Sequence, residues 1–419
     1  MNTKKREKYG KCKETDRQNV GFTAVIYRYN SICEPDIKEG FERMGISVVE
    51  ITEEMHDKSI LPSRRVQLVD QAINTYSPLF VFSVNFFPDI SDICSIHGTF
   101  YLCQTVDSPV MQLFSESIKH ETNRIFLFDR AQYLRFHGYN EQNIFHLPLA
   151  ANVRRYDSVT SGITEDDRKH FSCDISFVGS LYSEKCELNR ITLSDDANRC
   201  IDALIDEQKK IYGDNFLEEK LREYSGDRDN SVISELKEKL PAIFKFDKPV
   251  EQTDLYIAAH YLIGYKLAET ERIETLNALA EKYAVTLFTR SDTTPLKGVI
   301  LRDGVSTHTE MPKIFHLSRI NLNMTVRPII SGLPLRIFDI MGCGGFVMSN
   351  HQDEIADLFE IGKEIETYKS LDELIDKCGY YLSHEAERGK IARKGYEKVC
   401  EKHTWDQRLK EMIRYSIRG

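Results

Sequence analysis

The sequence of 419 residues has no apolar run long enough to cross a membrane and no excess of positive charge. A membrane span needs roughly 18 consecutive apolar residues, and no segment reaches that length. The net charge of −9 at pH 7 argues against nucleic acid as a partner, although it leaves room for a local phosphate pocket and for peripheral membrane contact. Residues 1–19 are polar and basic without an apolar core, so we expect no signal peptide and a cytoplasmic protein.

The sequence also lacks paired cysteines and regularly spaced histidines. Its ten cysteines include no Cys-x-x-Cys pair, which favours reduced thiols over a disulfide framework. His56, His97, His316 and His351 have no metal-binding spacing to one another on a helix, and we expect no metal site.

What is present is an alternation of short apolar runs with amphipathic helical periods, which is typical of parallel sheets with crossover helices. Because the chain is too long for one compact core, the pattern predicts two doubly wound α/β domains. Strands are predicted at 23–29, 47–51, 79–84, 100–102 and 124–128 in the first half, and at 174–178, 285–288, 320–324 and 345–348 in the second.

One stretch of the second half departs from this alternation. Residues 184–268 are highly charged and carry apolar residues such as Ile201, Leu204 and Ile205 at helical spacing, which predicts a helical insertion. We therefore divide the chain into a polar tail, a first domain, a second domain that contains the insertion, and a terminal helix that crosses back to the first domain. Their predicted limits are 1–21, 22–165, 166–403 and 404–419.

Residues 332–349 combine a helix, one carboxylate, a glycine run and an apolar strand. A helix N-terminus offers free N–H groups to a diphosphate, and the carboxylate of Asp339 could accept both hydroxyls of a ribose. Gly344 and Gly345 allow a ligand to approach the backbone. The pattern is typical of the donor site of a nucleotide-sugar glycosyltransferase, although an ordinary helix-to-strand turn with a solvated Asp339 fits it equally.

Three acids of the first half follow predicted strands. Glu34, Asp89 and Asp107 would face the crevice in which open α/β sheets bind ligands. Each also has a structural alternative, because Glu34 and Asp89 can cap helices and Asp107 can be a turn acid. Asn85 and Phe86 are candidates for an acceptor pocket, although aromatic residues after a strand are more often core.

Segments in both halves of the chain together resemble one enzyme family. They are 27–36, 82–88, 105–109, 125–130 and 147–152 in the first half, and 175–182, 320–323, 332–349 and 364–405 in the second. In this order they are similar to the glycosyltransferases of the spore maturation protein B (CgeB-like) group. The resemblance extends from about residue 22 to the C-terminus.

The resemblance implies a GT-B fold, in which two Rossmann-like domains face a central cleft. It implies a metal-independent glycosyltransferase of hexosyltransferase type, with no tightly bound cofactor. Such an enzyme moves a sugar from a nucleotide diphosphate sugar, most often a UDP-sugar, to a cell-surface glycan, a lipid-linked precursor or a protein. The donor would lie on the second domain and the acceptor on the first.

The resemblance also implies site residues. On the donor side they are Gly179, Ser180, Lys185, Arg327, Gly332, Leu333, Arg336, Asp339, Gly344 and Gly345. Among these Lys185, Arg327 and Arg336 are the candidate cations for the diphosphate, whose negative charge grows during transfer. On the acceptor side they are Asn85, Phe86 and Asp89. If the enzyme inverts, Asp107 is the first candidate for the general base and Glu34 the second.

Two departures from the family pattern affect these expectations. The commoner donor site has two glutamates eight positions apart, where this sequence has Ser331 and Asp339. The ribose contact is therefore carried over, whereas a carboxylate contact to the sugar is not. Cys103 and Gln104 stand where the family often has Ser-Trp, so the acceptor side differs. Two alternatives stay open: a catalytically silent GT-B binding or coat-assembly protein, and a GT-B nucleotide-sugar epimerase.

Overall fold

Two six-stranded sheets, in which all strand pairs are parallel, form the framework of the chain. The structure is a computed structural model that describes residues 21–225 and 231–417, so all but the last residue of the predicted polar tail lies outside the described residues. The first sheet has the order β2-β1-β3-β4-β5-β6 and the second β12-β11-β10-β7-β8-β9. The strands are β1 (Thr23–Tyr27), β2 (Ser47–Ile51), β3 (Phe80–Val84), β4 (Phe100–Gln104), β5 (Asn123–Leu127), β6 (Ile144–His146), β7 (Ile175–Val178), β8 (Val285–Thr289), β9 (Ile300–Asp303), β10 (Ile320–Asn323), β11 (Val347–Asn350) and β12 (Glu366–Tyr368).

Helices connect these strands and cover both sheets. Those of the first domain and the linker are α1 (Glu34–Arg43), α2 (Glu53–His56), α3 (Pro62–Tyr76), α4 (Pro88–His97), α5 (Arg130–Phe136), α6 (Val153–Ser161) and α7 (Glu165–Phe171). Those between β7 and β8 are α8 (Asp195–Gln208), α9 (Leu217–Ser225), α10 (Ser231–Lys239), α11 (Asp254–Tyr256), a π-helix (Ile257–Ile263) and α12 (Gly264–Ala280). The remainder are α13 (Met311–Leu317), α14 (Leu335–Gly342), α15 (Ile355–Leu358), α16 (Leu371–Ser383), α17 (Glu385–Lys402) and α18 (Trp405–Ile417). No described helix combines the length and the apolar character that crossing a bilayer requires.

The strand orders place a topological switch point in each sheet. In the first sheet the order reverses between β1 and β3, and in the second between β7 and β10. At such points the connections leave the carboxyl ends of neighbouring strands in opposite directions and open a crevice that binds ligands. The predicted fold class, two doubly wound α/β domains, is confirmed.

Three strands were not predicted, and each is short. β6 and β12 have three residues each, and the four residues of β9 are all exposed. A strand of this length has too few residues to show a period, and an exposed strand has no apolar face. Such strands are positioned by pairing with β5, β8 and β11 rather than by their own composition.

The helical insertion between β7 and β8 also packs against the first domain. Its own core includes Leu204, Leu236 and Ile263. The ring of Tyr256 lies 4.9 Å from that of Phe114 in the first domain. Arg135 of α5 forms ion pairs of 2.7 Å with Glu218 and with Glu251 of the insertion. The insertion therefore connects the two domains along one side of the cleft.

The terminal helix α18 packs on the first domain. Trp405, Leu409 and Met412 are buried in the same cluster as Phe41 and Phe80. The core between the domains includes Phe128, Leu149 and Ile337. The nine cysteines that the structure describes are free thiols, and Cys12 lies outside the described residues.

Candidate functional site

A cavity of about 420 Å³ opens between the two domains at the carboxyl edges of both sheets. The first domain contributes residues 29–32 after β1 and 106–108 after β4. The second domain contributes residues 177–180 at the end of β7, 323–326 at the end of β10, and 334–336 at the start of α14. The cavity therefore occupies the position at which open α/β sheets bind their ligands.

Three cations line this cavity: Lys185, Arg272 and Arg336. Arg272 of α12 is 9% exposed, and its guanidinium donates to the carbonyl oxygens of Ser180 (2.6 Å) and Met324 (2.8 Å). It forms no ion pair with any carboxylate of the described residues, and burial lowers its pKa. A buried cation without a counter-ion is costly, so the Arg272 side of the cavity is suited to an anion.

Asp339 lies inside the domain interface with its carboxylate at the cavity. The residue is 5% exposed and accepts a hydrogen bond of 2.6 Å from the hydroxyl of Tyr156. Arg336, one turn earlier on α14, approaches it to 3.9 Å. Burial raises the pKa of Asp339 to about 6, against the opposing effect of Arg336. The carboxylate is thus held ionised at neutral pH in an unfavourable environment.

We predict that Asp339→Asn stabilises the ligand-free protein at pH 7.5. The folded state retains the proton of Asp339 up to about pH 6, compared with 3.8 for an ordinary aspartate, so stability falls as the pH rises between these values. Above them, the ionised form costs roughly 1–3 kcal/mol of folding free energy, which the neutral amide would recover. Thermal unfolding at pH 7.5 and at pH 5 measures this gain, which should shrink at the lower pH. Equal stabilisation at both values would show that it does not come from the charge.

Asp107 is the exposed acid on the first-domain side of the cavity. Its carboxylate accepts a hydrogen bond of 2.7 Å from the amide of Asn85, which also donates to the Tyr29 hydroxyl at 2.9 Å. The amide oxygen of Asn85 accepts from the N–H of Val106 at 3.0 Å. Asn85 adopts the left-handed conformation (φ 58°) that directs its side chain towards both partners. Asn85 thus connects the segments that follow β1, β3 and β4.

Glu34 lies outside the cavity and is used structurally. It is fully buried, and its carboxylate accepts from the backbone N–H groups of Tyr29 (2.9 Å) and Asn30 (3.1 Å). Arg28 pairs with the same carboxylate at 3.2 Å. These contacts leave Glu34 holding the loop that lines the cavity, and we do not retain it as a candidate base.

Arg327 also forms its contacts outside the cavity. It is 3% exposed, pairs with Glu271 at 2.5 Å and donates to the carbonyl oxygen of Ile211 at 2.6 Å. Its guanidinium lies 4.4 Å from the centre of the Tyr212 ring. It does not line the cavity, so Arg272 takes its place among the candidate cations.

Two of the predicted acceptor residues also lie away from the cavity. Phe86 is 1% exposed and packs in the core of the first domain. Asp89 pairs with Arg65 at 2.6 Å. Asn85 does not line the cavity itself but bonds to Tyr29, Val106 and Asp107, which do.

The loop before α14 is held by a carboxylate of the first domain. Asp129 accepts from the backbone N–H groups of Ile330 (2.8 Å) and Ser331 (3.2 Å) and from the Ser331 hydroxyl (2.9 Å). A Cβ atom at Gly332 would lie 2.7 Å from the Cα of Asp129, so this close approach requires glycine. Leu333 is buried in the interdomain core. These residues fix the start of α14 and do not line the cavity.

The other predicted glycines lie in two different parts of the second domain. Gly179 lines the cavity with Ser180 at the end of β7. Gly344 and Gly345 follow the C-terminus of α14, at the end remote from the cavity. A Cβ at Gly345 would lie 2.5 Å from the carbonyl oxygen of Phe315. This glycine serves helix-to-strand packing.

Sequence reasoning missed Arg272 and Tyr265, both on α12 within or just after the predicted insertion. Both line the cavity. The charged stretch around them contains many lysines and arginines, and nothing in their spacing marks these two positions. A π-helix precedes α12, and such segments frequently occur at functional sites. Among the described residues, no cluster of three or more His, Cys, Asp or Glu side chains could hold a metal ion.

Residues 272–414 match the sequence profile of a family described as "Glycosyl transferase-like". No curated protein sequence is significantly similar to the chain. The matched segment begins at Arg272 and includes Arg336 and Asp339.

Solved structures with similar folds cover nearly the whole chain. Sucrose-phosphate synthase from Thermosynechococcus elongatus has a TM-score of 0.56 at 10% identity, with 95% of this chain and 98% of that chain covered. The Anabaena protein Alr3699/HepE in complex with UDP and glucose has a TM-score of 0.51 at 10% identity, with 93% and 99% covered. The N-terminal domain of Candida albicans trehalose-6-phosphate phosphatase has a TM-score of 0.51 at 10% identity, with 99% and 100% covered. The fold of this chain is GT-B, and it includes a segment that matches a glycosyl transferase-like family.

Proposed function

We propose that this protein is a GT-B glycosyltransferase that takes a sugar from a nucleotide diphosphate sugar. The observation that carries the proposal is the buried guanidinium of Arg272, which faces the interdomain cavity without a carboxylate partner among the described residues. With Lys185 and Arg336 the cavity has three cations, against the two acids Asp107 and Asp339. A diphosphate supplies the missing negative charge, and its charge increases as the sugar leaves.

The remaining residues of the cavity then take distinct roles. The N-terminus of α14 and Arg336 lie beside Asp339, so a diphosphate at the helix end would place the adjoining ribose near this carboxylate. Asp107 lies on the opposite, first-domain wall. In an inverting reaction Asp107 accepts the proton of the attacking hydroxyl.

A UDP-sugar is the proposed donor. The Anabaena protein of similar fold was solved in complex with UDP and glucose, which supports UDP as the nucleotide of the donor. We further propose a metal-independent hexosyltransferase related to the CgeB-like group. It would act in the cytoplasm on a cell-surface glycan, a lipid-linked precursor or a protein, as the resemblance of the sequence implies.

Thermal unfolding with UDP, GDP, dTDP and CMP tests the donor site. A ligand at a hundredfold excess over its Kd stabilises the native state by about 2.7 kcal/mol, so one nucleotide should raise the melting temperature clearly above the others. UDP is the expected one. Incubation with the corresponding nucleotide sugars then identifies the donor by its slow hydrolysis. Absence of stabilisation by any nucleotide, with the protein folded, would contradict the proposed function.

A further inference from the structure

Three tyrosines form a continuous row that leads out of the cavity along the insertion. Tyr182 and Tyr265 line the cavity, and their ring centres lie 5.2 Å apart. The ring of Tyr261 follows at 5.1 Å from that of Tyr265. We call Tyr182, Tyr265 and Tyr261 the tyrosine row. Tyr261 is partly exposed and does not line the cavity, so the row extends beyond it.

The two ends of the tyrosine row have different neighbours. Tyr182 lies between two donor-side cations, with Lys185 at 4.7 Å and Arg272 at 4.5 Å from its ring centre. Tyr265 and Asp107 both line the cavity, and burial raises the pKa of the Tyr265 phenol, with smaller contributions from Tyr182 and Asp107. Tyr261 is the member farthest along the chain of ring contacts from the donor-side cations. The tyrosine row thus extends from the proposed diphosphate site, past the proposed base Asp107, to a point outside the cavity.

The hydroxyl groups of the tyrosine row are free to bind a ligand. All three residues are partly exposed, and none of their hydroxyls makes a hydrogen bond to a residue that the structure describes. Glu187 and Arg190 lie near enough to Tyr261 to influence the pKa of its phenol. The row therefore offers partly exposed aromatic rings, with hydroxyls not bonded to described residues and with charged side chains nearby.

We propose that the tyrosine row is the acceptor subsite and that the acceptor is a glycan chain rather than a single sugar. This inference rests on the proposed function. Pyranose rings present apolar C–H faces that pack on aromatic rings, while their hydroxyls bond to polar groups at the ring edges. The spacing of the row is comparable to the length of one sugar residue. The accepting sugar would lie at Tyr265 beside Asp107, and the preceding sugar would lie on Tyr261.

A printed glycan array, probed with labelled full-length protein in the presence of UDP, tests this inference. We expect binding to glycans of several sugars and weaker binding to their terminal monosaccharides. Tyr261→Ala should weaken the affinity for the best-bound glycan by about tenfold, since an aromatic contact and its buried area are lost. Tyr261→Phe should retain most of that affinity. Tyr76→Ala, which removes an exposed tyrosine of α3, should have no effect.

Affinity for UDP, measured by calorimetry in the same variants, separates this inference from the proposed function. Unchanged UDP affinity with lost glycan binding in Tyr261→Ala supports the tyrosine row. Glycan binding by Tyr261→Ala equal to that of the wild type overturns it. So does a wild-type protein that binds UDP but no arrayed glycan. A wild-type protein that binds glycans through Tyr261 but binds no nucleotide would instead overturn the proposed donor site and keep the row.

Discussion

Replacement of Asp107 by asparagine should lower the rate of sugar transfer by about 10²–10⁴-fold if the enzyme inverts. Asparagine keeps the size of the side chain and can still bond to Asn85, which now donates to the Asp107 carboxylate at 2.7 Å. Only the basicity is lost. Because Asp107 lies on the wall opposite the cations, nucleotide affinity should stay the same. Single-turnover transfer and calorimetric titration of the nucleotide measure the two effects separately.

Asp303→Asn provides the matched control for Asp107. Asp303 is also an exposed acid at the carboxyl end of a strand, β9, but it lies outside the interdomain cavity. Its replacement should leave the transfer rate unchanged. An Asp107→Asn variant with more than about a tenth of the wild-type rate would exclude a general base at this position. A retaining mechanism, which needs no such base, would then be favoured.

The second large effect is expected for Arg272→Met, which keeps the length of the side chain and removes its charge. A charged group buried against its ionic partner typically contributes 2–5 kcal/mol on truncation, so we expect about a 30-fold to several-thousand-fold loss of nucleotide affinity. Comparison of UDP with uridine, which has no phosphate, gives a sharper test. The loss of affinity should be large for UDP and small for uridine. Calorimetry with both ligands measures it.

Arg290→Met is the corresponding control. Arg290 follows β8 at the carboxyl edge of the same sheet, is exposed, and does not line the interdomain cavity. Its replacement should leave affinity for UDP within about twofold of the wild type. Equal affinity of the wild type and folded Arg272→Met for UDP would remove the observation on which the proposed donor site rests.

The sequence predicted those parts of the fold that depend on local pattern. The buried apolar runs of β1, β3 and β8 are visible in composition alone, because every position of a strand covered on both faces must be apolar or nearly so. The exposed β9 has no such run, and only its pairing with β8 makes it a strand. The same distinction separates Asp107, whose place a few residues after a predicted strand is set locally, from residues whose environment depends on distant partners.

Glu34, Arg327 and Arg272 illustrate what the sequence does not contain. Glu34 and Arg327 are charged residues at loops near predicted strands, which is where ligand-binding charges are expected. Both charges are already paired in the folded protein. The Glu34 carboxylate accepts from backbone N–H groups, and the Arg327 guanidinium pairs with Glu271. Arg272 sits next to Glu271 in the chain, yet its guanidinium points to the cavity while Arg327 takes the glutamate. Tertiary packing therefore decides which of the two arginines has a carboxylate partner and which has none among the described residues.

The packing of the insertion on both domains has a consequence for how the cleft moves. Two domains joined only by the segments that cross between them could rotate apart about a hinge in those segments. Here Arg135 of the first domain pairs with Glu218 and Glu251 of the insertion, and Tyr256 of the insertion packs on Phe114 of the first domain. Any wide rotation must first separate these contacts. The insertion thus adds a second connection between the two domains, and wide opening of the cleft requires that this connection be released.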